Sequence, residues 1–72
     1  MNIFRMLKQV EDGLKLNEGN RIILGCRYLE WDYRIKRWSI WEISEDNSDL
    51  LCFVEDFTSF KRALYYLCNP FE

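Results

Sequence analysis

Between Arg27 and Ile43 this 72-residue chain gathers its three tryptophans, Trp31, Trp38 and Trp41. Tyr28 and Tyr33 lie among them, with Arg27, Arg34, Lys36 and Arg37 interleaved. Two kinds of chemistry use such a mixture. Exposed rings stack unpaired bases while cations hold the phosphates. Alternatively, large aromatic anchors ringed by arginine bury themselves in a protein partner. Most other chemistry is closed to this composition. There is no histidine, which removes imidazole acid–base catalysis and histidine metal ligation. Cys26, Cys52 and Cys68 form no Cys-x-x-Cys, lack the spacing of a zinc site and have no histidine to activate a thiolate. No glycine-rich phosphate loop, Gly-x-Ser-x-Gly or EF-hand pattern occurs. The acidic run from Glu45 to Asp49 reads as a solvated turn. The expectation is a non-enzymatic chain without cofactor or metal.

Composition narrows the class further. The chain is 49% apolar, 17% aromatic and 31% charged, with three glycines and one proline, the profile of one globular domain over residues 1–72. A chain this short buries only about 60% of its unfolded surface, so a spare apolar face has much to gain from a second molecule. No apolar run approaches the roughly 20 residues of a membrane span, and no membrane partner is expected. The opening MNIFRMLKQVEDG has neither a long apolar stretch nor a small-residue cleavage site, so no signal peptide is expected. An odd cysteine count fits buried thiols in a reducing cytoplasm better than a disulfide framework.

Net charge is −2, but its distribution is polar. Arg21, Arg27, Arg34, Lys36 and Arg37 outweigh Glu30 and Asp32 between residues 21 and 38. Residues 42–56 hold Glu42, Glu45, Asp46, Asp49, Glu55 and Asp56 and no cation. Only a local patch could attract nucleic acid.

Hydrophobic spacing sets the elements that would position these residues. Ile3, Leu7, Val10 and Leu14 form one helical stripe, and Asn2 is suited to cap it, which predicts a helix over about 2–16. Arg21 to Asp32 reads as a strand, with Gly25 as a bulge or close backbone approach. A turn over 33–36, a strand over 37–44, a polar loop and a strand over 50–55 follow. Phe57, Phe60, Leu64, Leu67 and Phe71 predict a final helix over about 58–69, stopped by Asn69-Pro70. The fold class is therefore α+β: α-β-β-β-α, a three-stranded antiparallel meander with both helices packed on one face.

Side chains alternate across strands. If Arg27, Glu42 and Glu55 are wet, their side also carries Ile23, Leu29, Trp31, Trp38, Ile40, Leu51 and Phe53. The helices would then rest on Ile22, Leu24, Cys26, Tyr28, Trp41, Ile43, Leu50, Cys52 and Val54. The first face would be a greasy outer surface, the signature of an interaction site. Its expected partner-binding residues are Leu29, Trp31, Trp38, Ile40 and Phe53, with Arg34, Lys36 and Arg37 steering an acidic partner. Self-association as a homodimer through the same face is a further expectation. The alternative is RNA or single-stranded DNA binding by Tyr33, Arg34, Lys36, Arg37, Lys61 and Arg62.

Two resemblances bear on these readings. The order α-β-β-β-α, with Ser59-Phe60-Lys61-Arg62-Ala63, resembles the double-stranded-RNA-binding domain and its basic Ser-Lys-Lys-x-Ala element. That resemblance implies phosphate contacts by Lys61 and Arg62. The family's Gly-Pro-x-His loop has no counterpart here. The run W-S-I-W-E-I, an acidic turn, L-L-C-F-V-E-D-F and then T-S-F-K-R-A-L-Y-Y-L is similar to short open reading frames of bacteriophages and prophages. This second resemblance implies a cytoplasmic accessory or inhibitor protein that occupies the surface of a host or defence protein.

Overall fold

The structure is a computed structural model that describes residues 2–46 and 49–69. Helix α1 spans Ile3–Leu16. The Asn2 Oδ1 accepts from the N–H groups of Phe4 at 2.8 Å and Arg5 at 3.2 Å, satisfying two of the donors a helix start leaves open. Lys8–Asp12 and Glu11–Lys15 pairs, one turn apart, line its wet side. The four strands are β1 Arg21–Leu24, β2 Arg27–Asp32, β3 Arg37–Ile43 and β4 Leu51–Phe57. Helix α2, Phe60–Cys68, is capped by the Ser59 Oγ, which accepts from the Arg62 N–H at 3.4 Å. The proline expected to stop it, Pro70, lies outside the described residues, as do Phe71 of its stripe and Asn47-Ser48 of the acidic loop.

The sheet is antiparallel in the order β1-β2-β3-β4. The α+β class stands, but the sheet has four strands where the sequence reading gave three. Gly25 does not bulge a single long strand. It adopts a φ of 64° and opens a two-residue turn with Cys26, so that Leu24 pairs with Arg27. Positive φ at the first loop position is the geometry a tight hairpin needs and glycine provides. Length gives the reason. One strand from Arg21 to Asp32 would run on the order of 40 Å at roughly 3.3 Å per residue, far beyond its partner β3. The bulge sits elsewhere: the β3–β4 register shifts between Ile40 and Trp41, leaving Val54 without a partner of its own.

These two irregularities overturn the assignment of faces. A two-residue turn reverses parity, so β2 is out of phase with a straight count from β1. The bulge at Val54 reverses it again within β4. Ile23, Leu51 and Phe53 keep their expected side. Leu29, Trp31, Trp38 and Ile40 move to the opposite side, under the helices. Tyr28 and Trp41, expected beneath the helices, lie on the open side. The markers used to set the phase were misleading for a physical reason. Arg27 and Glu42 are cross-strand partners at the end of the sheet and pair with each other at 3.8 Å. Such a pair tolerates the margin of a covered face.

The core is Leu29, Trp38 and Ile40 from the sheet with Leu14 of α1 and Phe60, Ala63 and Leu67 of α2. Both helices thus feed one cluster on one side. Trp38 packs against Phe60 at 4.8 Å between centroids and against Trp31 edge-on at 4.9 Å, arrangements that suit aromatic quadrupoles.

Candidate protein-docking surface

Of the expected partner-binding residues, three are closed to any partner. Leu29 and Ile40 have no exposed surface and Trp38 has 1%. Trp31 is half-buried, with the Lys15 ammonium 4.3 Å over its ring. Of the five apolar ones, Phe53 alone stands open, at 51% exposure.

The cations are largely engaged. Arg37 donates from Nε to the Asp56 Oδ1 at 2.7 Å. The Arg34 guanidinium, though exposed, lies 3.7 Å from Asp32, and its backbone N–H donates to the same carboxylate at 2.9 Å. Lys36 is exposed at the turn, in a left-handed conformation with φ 58°, and its N–H donates to the Asp32 carbonyl at 2.8 Å. The Tyr33 hydroxyl donates to the Lys15 carbonyl, tying the turn to the end of α1. Lys61 lies 4.6 Å over the Phe4 ring, and Arg62 is exposed on α2. Trp38 is buried and Trp31 is half-buried beneath Lys15, while Arg34 lines one depression together with Trp41.

The face away from the helices carries what the sequence reading missed. On β1 it holds Arg21 and Ile23, on β2 Tyr28 and Glu30, on β3 Ser39, Trp41 and Ile43, and on β4 Leu51 and Phe53, as the register requires. Side chains on this face cover part of it: the Arg21 guanidinium lies 4.3 Å over the Tyr28 ring, and Tyr28 and Ser39 are buried. Trp41 meets Phe53 edge-on at 5.4 Å. Ile23 (62%), Leu51 (49%) and Phe53 remain exposed. The available signal was the run Leu50-Leu51-Cys52-Phe53-Val54, apolar at every position when a one-sided strand should alternate.

Towards the β2–β3 turn, a depression of about 350 Å³ is lined by Glu18, Glu30, Asp32, Arg34 and Trp41 among others. Burial raises the Glu30 pKa above the ordinary carboxylate range; Asp32 and Glu18 add to this and Arg21, 3.9 Å away, opposes it. Burial likewise raises the Tyr28 hydroxyl. Among the described residues no group of three or more cysteines and carboxylates is placed to hold a metal. The expectation of buried thiols fails for Cys52 and Cys68, which are exposed. Cys26 is half-buried, with its Sγ donating to Glu42 at 3.6 Å. No helix among the described residues is long and apolar enough to cross a membrane. Compared with protein-family models, curated proteins and solved structures, the chain matches none.

Proposed function

We propose that this chain is a non-enzymatic module that docks onto another protein through the open side of its sheet, around Ile23, Leu51 and Phe53. The observation that carries this reading is that side's composition: large apolar side chains stand between 49% and 62% exposed beside Trp41, where an antiparallel sheet facing water alternates to polar residues. Aromatic side chains such as Phe53 and Trp41 are enriched at protein interfaces. An accessory or inhibitor role, in which a small protein occupies the surface of a host or defence protein, is the form of activity such a module suits. The rival reading, an RNA or single-stranded-DNA binder, is opposed by the pairing of Arg37 and Arg34 with carboxylates and by the buried Trp38.

A photo-reactive phenylalanine analogue at position 53, with a control at the exposed Lys8 on α1, tests the reading in the native cell. Discrete protein adducts from position 53 and none from the control are expected. Nucleic-acid adducts from position 53, or no adduct beyond those of the control, would remove the reading.

A further inference from the structure

We infer that the docking surface works by strand addition: the free edge of β4 at Leu51–Phe53 takes an extended partner segment of alternating apolar and basic residues as a fifth strand. This rests on the protein-docking reading and names the partner's chemistry.

Hydrogen-bond parity identifies the open backbone. The Ser44 N–H donates to the Leu50 carbonyl at 3.1 Å, across to the β4 side, whereas the Ile43 N–H donates to the Cys26 carbonyl at 2.7 Å, across to the β2 side. Neighbouring residues of β3 thus address opposite strands, as antiparallel ladders require. Ile43 and Trp41 turn their backbones to β2, so their partners Leu51 and Phe53 turn theirs away from β3. Among the described residues no strand lies beyond β4 in the sheet. The upper half of the same edge is closed by two devices that natural sheets use against unwanted pairing. The bulge falls at Val54, and the Asp56 N–H takes the side chain of Glu55 at 3.1 Å. Leu51 to Phe53 has neither device, and both end residues expose apolar side chains on the docking face.

Charge selects the occupant. Glu45 and Asp46 precede this edge, Glu55 follows it, and all three are exposed. A second copy paired antiparallel about Cys52 would set Asp49 of each copy opposite Glu55 of the other, and opposed like charges destabilise a strand pair. A segment with apolar residues beside Leu51 and Phe53 and lysine or arginine at its ends meets both the greasy centre and the acidic rim. Backbone bonds supply the affinity and the flanking side chains the selectivity.

The probe is a short blocked peptide of alternating valine and lysine, titrated into the full chain while amide hydrogen exchange is read by NMR. Protection is expected at the amides of Leu51 and Phe53. Affinity should fall about tenfold or more, on the scale of lost backbone hydrogen bonds, when one central peptide amide is N-methylated. Leu51→Pro, which removes an outward N–H at a position edge strands tolerate, should weaken binding to a similar extent; the N-methylated peptide gives the same test without altering the protein. Protection confined to α1, or binding indifferent to N-methylation, would overturn strand addition. Concentration-dependent protection of the same two amides without peptide would make a second copy the occupant and overturn the proposal. Either failure, with protein adducts still forming at position 53, would leave the docking reading standing without its strand-addition mechanism.

Discussion

The two faces of this sheet are built from similar residues and are covered very differently. The inner face presents Leu29, Trp38 and Ile40 to Leu14, Phe60, Ala63 and Leu67, and these seven bury almost completely. The outer face presents Ile23, Trp41, Leu51 and Phe53, with no helix above them among the described residues. The same aromatic and aliphatic chemistry thus forms core where two helices shelter it and stays partly open on the other side. Hydrophobicity alone does not tell interior from interface, because burial is a property of what lies opposite.

The sharpest way to break this comparison is Trp38→Ala. Emptying a buried aromatic position costs about 3–5 kcal/mol, a large share of the 5–15 kcal/mol typical of a domain. A urea titration should show a steep drop in the unfolding midpoint, whereas Phe53→Ala should lower stability by no more than about 1 kcal/mol. Equal losses from the two variants would mean that the outer face is also core. Next in size is Gly25→Val. A β-branched residue at φ 64° carries roughly 1–3 kcal/mol of strain, and it tests the turn that reverses strand parity. An unaltered midpoint would show that the turn does not depend on glycine.

Ser59→Ala removes the side-chain cap of the helix that covers the inner face. A loss of about 1 kcal/mol is expected, with near-full recovery in Ser59→Asp. The smallest effect concerns Glu30 on the outer face. Its raised pKa means that folding favours the protonated carboxyl. That contribution is complete below the ordinary carboxylate range and is lost as pH rises through the raised value. Glu30→Gln should therefore gain stability relative to the parent as pH climbs from mildly acidic to neutral. A difference that is flat or falls across this range would show that the Arg21 contact outweighs burial.

The helices offer a second contrast. α2 buries Phe60, Ala63 and Leu67, but α1 buries only Leu14, and its Ile3, Phe4, Met6 and Val10 stay exposed. Their periodicities are equally clear in sequence. Periodicity reports which residues share a stripe, and the length of sheet beneath decides how much of it is covered. Both helices, the Asn2 cap, the α+β class, the 33–36 turn and the acidic loop position were therefore legible from local signals. The makeup of the open face was not. It depended on Gly25 turning where a bulge was expected and on Val54 bulging where continuity was expected. Each shifts parity by one residue and so moves whole strands of side chains between faces.

The amino-acid sequence by itself determined the chemistry this protein lacks, since imidazole catalysis needs a residue absent from the chain. It also determined where helices and strands form, because caps, turns and periodicity act over a few residues. Tertiary structure alone decided that Trp38 is core and that Trp41 lies on the open face. That choice is made by pairing between strands, where a single added residue exchanges inside for outside.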